Sequence, residues 1–524
     1  MFGFSKDKHN VLNPETNPSV DVMAKQIAKN ISEKQFIELE LLRWKKSPKR
    51  IAMLEGERYY QGEHDILTRK RTVIGKDGKL QEVDNLPNNK IVDNQYAKMV
   101  DQKTNYLLGQ PLTFDTEDDA YEAALSDVFN KRFHRTLKNL GENALNCGIG
   151  WLFPYFDEAG DFRFMRFEPF EILPFWKDSE HTMLEFAARL YQVEVYEGTT
   201  YTIREKVELY YPDRIEKYDF NDGVLVPDAD SPTADYITFD DEDGNAQGYS
   251  WGKVPLVAFK YNNREIPLIR KVKSLQDGIN TMLSDFENNM QEDSRNTILI
   301  IKNYDGQNLA EFRHNLATYG AVKVKTIDGS EGGVDALRVE VNAENYKAIL
   351  EVFKKALIEN AMGYDAKDDR LAGNPNQMNI QSMYSDIDLD ANNMETEFQA
   401  SFEELLEFVH IYFIDKGIGD FTSSDVSIIF NRDMMMNETE VIDNCSKSVG
   451  ILSDETIISQ HPWVTDVKTE IDRKKTEKQE NLDEYANALR DMKLNIQNHA
   501  EKIVRLEQQV KVLNKTVFKS DSDE

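Results

Sequence analysis

Cysteine, positive charge and long apolar runs are all scarce in this chain of 524 residues, and each shortage removes a class of protein. The two cysteines, Cys147 and Cys445, cannot build a disulfide framework, and neither stands at metal-ligand spacing from another Cys or a nearby His. Both read as small buried apolar residues. No apolar run approaches the roughly 18 residues of a membrane span. The opening MFGFSKDKHN has no sustained apolar core after its basic residues. The expectation is a chain made in the cytoplasm and without a membrane partner. Lys and Arg number 63 against 93 Asp and Glu, a formal net charge of -30. Such a balance excludes a protein that grips nucleic acid through clustered cations.

Catalytic signatures are missing as well. There is no phosphate loop of the G-x-x-x-x-G-K-[ST] type, no H-E-x-x-H, no G-x-S-x-G elbow and no dinucleotide fingerprint. The eight histidines, at positions 9, 64, 134, 181, 314, 410, 461 and 499, lack the paired spacing of metal sites. The acidic run from Asp240 to Gly244 fails as a calcium loop, because its first and twelfth ligand positions would be Phe239 and Ser250. The reading is a protein that is not an enzyme and carries no metal or cofactor.

What is present is enough apolar material, 40% of residues with 10% aromatic, to fill more than one core. Ile27, Ile31, Phe36, Leu39, Leu42 and Trp44 recur at helical spacing. Ser47 before Pro48 starts a second helix that runs through Ile51, Met53 and Leu54 to Tyr60 and stops at Gly62. The basic residues 69–71, 76 and 79 surround a Lys-Asp-Gly hairpin turn and read as a solvated loop. A third helix is predicted over 94–108, and a fourth over about 120–145. From Gly148 to about Phe259 the period becomes alternating, as in Phe162 to Phe167 and Val207 to Tyr211, which predicts a mostly antiparallel sheet.

Pro267 opens a helix whose apolar residues, Leu268, Val272, Leu275, Ile279, Met282, Phe286 and Met290, form one stripe that must pack on something. A second helix follows Asn342 as cap, with Tyr346, Leu350, Phe353 and Leu357. Between them, strands at 297–301 and 321–325 flank a short helix near 309–316. Residues 363–379, rich in Gly, Asn, Asp and Pro, read as a loop. A long helix then runs from about Ile380 to Phe413 with Met383, Ile387, Met394, Phe398, Leu405, Phe408 and Tyr412 as core residues, and stops at Gly417. The fold class is therefore α+β, mainly helical.

The C-terminal stretch repeats apolar residues every seven positions, at Leu482, Leu489, Ile496, Ile503, Val510 and Val517. Tyr485, Met492, Leu506 and Leu513 fill the alternate positions, which makes a coiled-coil seam interrupted only by His499. Its flanking positions hold Asn481, Ala486, Ala488, Lys493, Asn495, Ala500, Lys502 and Glu507, mostly small or uncharged. Such flanks favour contact with more than one neighbouring helix, and so self-association. The final Lys-Ser-Asp-Ser-Asp-Glu reads as a polar, disordered tail.

A resemblance becomes specific in short segments. These are Tyr59-Tyr60-Gln61-Gly62-Glu63-His64-Asp65-Ile66, Leu86-Pro87-Asn88-Asn89-Lys90-Ile91-Val92, Val100-Asp101-Gln102-Lys103 and Asn105-Tyr106-Leu107-Leu108-Gly109-Gln110-Pro111. Val254-Pro255-Leu256-Val257, Ser274-Leu275-Gln276-Asp277 and Gln460-His461-Pro462-Trp463-Val464 follow in order. Together, over about 25–475, they resemble portal proteins of long-tailed phages of Gram-positive hosts, the SPP1-like portal family. The resemblance implies a portal fold with wing, stem, clip, tunnel loop and crown, assembled into a ring, dodecameric in the virion. It maps the N-terminal helices and β-rich wing to 1–262, stem helices to 263–295 and 342–362, and an α/β clip to 296–341. The tunnel loop falls at 363–379, a long wing helix and following strand at 380–430, and a helical crown with coiled coil and polar tail at 431–524.

The function so implied is a DNA channel at one capsid vertex, for genome packaging, retention, head-to-tail joining and ejection. Its partners would be other copies of itself, the terminase, the head-to-tail adaptor, capsid and scaffolding proteins, and double-stranded DNA passing without sequence-specific binding. An acidic wall suits that task, since every phosphate contact with Lys or Arg adds affinity that must be broken at each step. In the loop, Lys367 and Arg370 beside Asp368 and Asp369 are candidates for transient backbone contact, and Asn374, Asn376 and Gln377 for neutral hydrogen bonds. Arg313, Lys323 and Lys325 are candidates for partner contact at the clip. Leu482, Leu489, Met492, Ile496, Ile503, Leu506, Val510 and Leu513 are expected to carry oligomerisation. Two other classes compete. A coiled-coil scaffold or adaptor of another assembly would form particles without a pore, and a metal-dependent phage nuclease would cut DNA under magnesium or manganese.

Overall fold

The computed structural model describes residues 31–520 apart from 76, 85, 158–159, 230, 241–245, 294–297, 304, 306–307, 320–322, 326–328, 330–331, 338–342, 367–376, 433–437 and 465–466. The described residues form a mixed α+β fold, mainly helical, in two compact units, 1–368 with 383–434 and 369–382 with 435–524. Among them no helix is long and apolar enough to cross a membrane.

In the larger unit, helix α1 (Glu33–Lys45) starts at a reciprocal cap. The Ser32 hydroxyl accepts from Gln35 N at 3.2 Å while Gln35 Oε1 accepts from Ser32 N at 3.0 Å. Its buried stripe is Phe36, Ile37, Leu41 and Trp44, whereas Leu39 and Leu42 of the predicted stripe are exposed. Helix α2 (Pro48–Tyr60) begins where Ser47 and Pro48 place it, with Ser47 Oγ accepting from Arg50 N. Gly56 in its middle lies so close to the next helix layer that a Cβ would overlap the Asn146 carbonyl oxygen. Strands β1 (Thr72–Ile74) and β2 (Leu80–Glu82) form the predicted hairpin. Helix α3 (Gln95–Leu108) is capped by Asn94.

Strand β3 (Thr113–Asp115) leads to two helices in place of the single one expected over 120–145. These are α4 (Asp119–Val128) and α5 (Lys131–Cys147). The break falls at Asn130, whose carboxamide accepts from Arg132 N and Phe133 N and so starts a new helix. The bend lets Phe129 and Phe133 both face Phe164, at ring separations of 5.9 and 4.9 Å.

Gly148 ends α5 with φ +85 and turns the chain into the sheet region. Strands β4 (Ile149–Phe156) and β5 (Phe162–Phe167) pair antiparallel. A meander follows through β6 (Ile172–Trp176), β7 (Leu184–Glu197), β8 (Thr200–Tyr210), β9 (Ile215–Asn221) and β10 (Val224–Pro227), with short β11 (Thr233–Ala234) added to β9. A hairpin of β12 (Ile237–Asp240) and β13 (Ala246–Tyr249) comes next, and β14 (Val257–Lys260) closes on β4. The buried face of α1 and the inner faces of these strands share one core around Trp151, Phe175, Trp176, Phe186 and Tyr210.

Helix α6 (Ile269–Asp293) leaves this core for a small tip of β15 (Ile298–Lys302), α7 (Leu309–Tyr319) and β16 (Gly333–Leu337), and α8 (Ala343–Asn360) returns. Helix α9 (Gln377–Asp415) buries Met383, Ile387, Met394, Phe398, Leu405 and Phe408. It ends before Gly417 at φ +67. Strand β17 (Ser427–Ile429) then pairs with β3. The smaller unit carries α10 (Glu438–Ser448), α11 (Asp454–Ser459) and α12 (Val467–Ser520), which continues helically into the first residues of the expected polar tail.

Candidate functional site

The helix pair α6 and α8 is the natural frame for any site between core and tip. The two helices touch closely: a Cβ on Gly278 would lie 2.8 Å from the Phe353 ring, and Phe286 meets Tyr346 at 5.1 Å. The predicted apolar stripe is only partly inside. Val272 and Ile279 are buried, but Leu275, Met282 and Phe286 are half-buried and Met290 is exposed. An equally deep line on α6 is polar. Gln276, Asn280, Ser284 and Asn288, spaced by four, are all 0% exposed.

That line holds the extended segment 86–94. Asn288 Oδ1 accepts from Asn89 N at 2.7 Å, Ser284 Oγ from Ile91 N at 2.9 Å, and Asn280 Oδ1 from Asp93 N at 3.0 Å. Gln276 Oε1 accepts from Tyr96 N at 2.9 Å while its Nε2 donates to Asp93 O at 2.8 Å. The match is geometric. Four helical residues advance about 6 Å, close to the roughly 6.6 Å of two extended residues. A helix face therefore serves the segment as a neighbouring strand would. The resemblance segments Leu86 to Val92 and Ser274 to Asp277 both take part in this lock, the second through Gln276.

His64 completes it. Its Nε2 faces the Tyr59 carbonyl at 3.0 Å and must donate there, so Nδ1 accepts from Asn280 Nδ2 at 2.7 Å. Burial lowers the pKa of this imidazole against the opposing pull of the Tyr59 carbonyl, which suits the neutral form. Tyr59 stacks on the ring at 4.4 Å and donates to Asp277 at 2.5 Å.

The start of α6 is fixed by charge. Glu265 is 4% exposed and holds φ +55. It pairs with Lys49 of α2 and with His181 Nδ1 at 2.7 Å, and His181 (φ +58) stacks on Trp176 at 5.1 Å. Burial alone would raise this carboxyl. The His181 hydrogen bond and the Lys49 ammonium outweigh it and hold the pKa at about 2. A carboxyl depressed in the fold stabilises above its unfolded pKa and loses that contribution as pH falls through the folded one. The stability difference between the wild type and Glu265→Gln, read from urea midpoints, should therefore be constant above about pH 4.5 and shrink as pH falls from there toward about 2. A difference that does not change with pH would refute the pairing.

The root of the 363–379 loop is held by α3. Lys103 Nζ donates to the Met362 carbonyl at 3.0 Å and pairs with Asp390 of α9 at 2.7 Å. Met362 itself has φ +54. Asp390 also accepts from Tyr261 at 2.8 Å and lies 3.4 Å from Lys271 of α6. Burial pushes the Lys103 ammonium below its ordinary pKa, and the Asp390 carboxylate opposes this. One residue earlier, Gln102 Nε2 donates to Tyr364 O at 2.9 Å and Gln102 Oε1 accepts from Tyr364 N at 3.1 Å. Tyr364, Tyr384 and Tyr106 stack in series at 4.5 and 5.7 Å. Sequence reasoning assigned no role to Lys103, Asp390 or Glu265, whose partners stand far away in the chain.

Of the loop candidates, Lys367, Asp368, Asp369, Arg370, Asn374 and Asn376 lie outside the described residues, and Gln377 opens α9 with its side chain outside them too. Arg313 belongs to α7, its side chain likewise outside the description. At the tip, β15 pairs with Gly333–Leu337 and not with the predicted 321–325 strand. Lys323 and Lys325 are tied to Asp305 and Asn303 by two backbone bonds, Asp305 N to Lys323 O and Lys325 N to Asn303 O. Both lysines are exposed, and Lys325 pairs with Asp305. The described seam residues of α12 are all exposed, from 47% at Leu489 to 69% at Tyr485. Among the described residues no three His, Cys, Asp or Glu side chains are grouped to hold a metal ion.

Residues 45–484 match the family model described as "Phage portal protein, SPP1 Gp6-like". The chain is 28% identical over 470 residues to the portal protein of Bacillus phage SPP1, covering 88% of this chain and 90% of that one. It is 29% identical over 456 residues to the portal protein of Clostridium phage phiCD119, covering 84% and 96%.

Proposed function

The chain belongs to the SPP1 Gp6-like phage portal protein family, and on that footing we propose that copies of it form the ring-shaped DNA channel at one vertex of the virion capsid. The observation that carries the reading is the family match across 45–484, joined to the order helix, tip, helix, long helix along the chain. In this reading α6 and α8 are the stem, the β15, α7 and β16 tip is the clip, residues 363–379 are the tunnel loop, and the sheet region with α9 is the wing. The region from 431 onward is the crown. The ring, dodecameric in the virion, works with a terminase during packaging and with a head-to-tail adaptor afterwards, and is built in with capsid and scaffolding proteins.

The chain acts as a conduit and is assigned no catalytic step; energy comes from a partner motor. A net charge of -30 keeps phosphates from adhering to the wall. Within the loop, Lys367 and Arg370 touch the DNA backbone briefly, Asp368 and Asp369 limit their hold, and Asn374, Asn376 and Gln377 offer neutral hydrogen bonds. At the clip, Arg313, Lys323 and Lys325 meet the terminase or adaptor.

Purified protein should appear in electron micrographs as rings with a central pore, and particles without a pore would sink the reading. With rings intact, replacing Lys367 and Arg370 together by alanine should lower packaged or retained DNA. Unchanged DNA content would remove their role and leave the ring.

A further inference from the structure

The family match ends at residue 484, yet α12 runs on to Ser520. Every residue from 472 to 513 is exposed, including Ile503 at 57% and Leu506 at 58%. An apolar seam this long and this bare needs an occupant. We propose that the part of α12 from Ile496 to Leu513 forms a parallel, in-register, two-stranded zipper with the same segment of a second copy, so that the C-terminal helices of the assembly associate in pairs. The proposal rests on the reading that copies assemble around a common axis.

The choice of two strands comes from residue shape. Ile496, Ile503 and Val510 occupy one seam position and Leu506 and Leu513 the other. β-branched residues at the first position with leucine at the second favour two parallel strands. The earlier part differs, since Leu482 and Leu489 take the first position and Tyr485 and Met492 the second. Its flanks include Ala486 and Ala488 beside Asn481, Lys493 and Asn495, whereas beyond Ile496 Ala500 is the one small flank and Lys502, Glu507 and Gln509 are the others. A polar flank closes the seam to third helices. Wide contact with several neighbours is thus confined to the earlier heptads.

Direction and register follow from two further facts. Copies related by rotation about one axis carry their helices in the same sense, so pairing within the assembly is parallel. In register, Lys502 of one copy faces Glu507 of the other, an attraction repeated twice by symmetry. His499 stands at the second seam position, opposite its own counterpart only when the helices are in register. His499 Nδ1 donates to the Asn495 carbonyl of its own helix at 3.0 Å, so one imidazole donates to the other where its Nδ1 leaves that carbonyl and accepts instead. A slip of one heptad sets the ring against Met492 or Leu506, burying a polar group without a partner. His499 therefore fixes register in the way a buried Asn does in other zippers.

Cysteine cross-linking in the full chain tests this, because Cys147 and Cys445 are buried at 1% and 8% exposure. Under mild oxidation Leu506→Cys should give roughly tenfold more covalent dimer than Gln508→Cys, which faces away from the seam. The double variant Ile503→Cys with Leu506→Cys should still stop at dimer. A ladder of trimers and larger species would overturn the two-stranded pairing, as would equal cross-linking at 506 and 508. Micrographs of the same samples separate the two readings: rings without dimers refute the zipper alone, dimers without rings support it while refuting the portal ring, and absence of both refutes both.

Discussion

Replacing Asp390 by alanine should destabilise the larger unit by about 3–5 kcal/mol, the usual cost of leaving one member of a buried ion pair alone. Lys103 is 4% exposed and its ammonium has two recorded oxygen partners, Asp390 and the Met362 carbonyl. Without the carboxylate, the lysine must either lose its proton or draw water into the core where α3, α6 and α9 meet. Tyr261, buried at 1% exposure, loses the acceptor of its hydroxyl at the same time. Replacing Lys103 by methionine together with Asp390 by leucine should cost less than the two single changes summed, because no charge is then stranded. Urea denaturation of the three variants measures this. A loss below about 1 kcal/mol for Asp390→Ala would mean that the cluster is wetter and weaker than its burial implies.

The same change has a local consequence. Met362 and Tyr364 sit between the end of α8 and the 367–376 stretch, and the Met362 carbonyl is held in a left-handed turn by Lys103. Any pull on residues 367–376 reaches the fold through these two residues. A buried charge pair and a reciprocal Gln102 to Tyr364 clamp resist that force better than apolar contact alone, because hydrogen bonds are directional. Amide exchange at 361–366 should rise in the Asp390 variant even under conditions where the unit stays folded.

Legibility in the sequence followed the range of the interactions. Ser47 with Pro48, and the alternation of Phe162 to Phe167, are local signals, and the helix and strand stand where those residues place them. Asn130 was also a local signal, but apolar spacing that continues across it from Ala120 to Leu145 concealed the break. The strand Gly333–Leu337 was missed because Gly-Val-Asp-Ala-Leu alternates poorly, while its partner Ile298–Lys302 was plain from its β-branched run. Lys103 and Asp390 stand 287 positions apart. Nothing near Lys103 distinguishes it from a solvated lysine on an amphipathic helix. The family resemblance supplied the order of parts, and the packing supplied what three of its segments do: Leu86 to Val92, Gln276 and His64 share one hydrogen-bonded lock.

Hydrophobic periodicity is blind to that lock, and its central residue carries the second large effect. Asn280 accepts from Asp93 N and Gln276 Nε2 and donates to His64 Nδ1. Asn280→Leu keeps the volume nearly constant and removes all three partners' bonds, leaving buried polar groups whose desolvation costs about 1–3 kcal/mol each. The expected loss is about 3 kcal/mol or more, against about 1–3 kcal/mol for Ser284→Ala, which strands only the Ile91 amide. Stability in urea and amide exchange at Ile91 and Asp93 measure the two together. Ser284→Ala should release protection at Ile91 first, and Asn280→Leu should release the segment through Asp93. If both amides stay protected in the leucine variant, the segment is held by its flanks and not by the polar line of α6. If they open, α6 owes its seating to side chains that mimic a strand edge, and any sideways force on α6 is passed through that line to α3 and to the Met362 and Tyr364 backbone that α3 clamps.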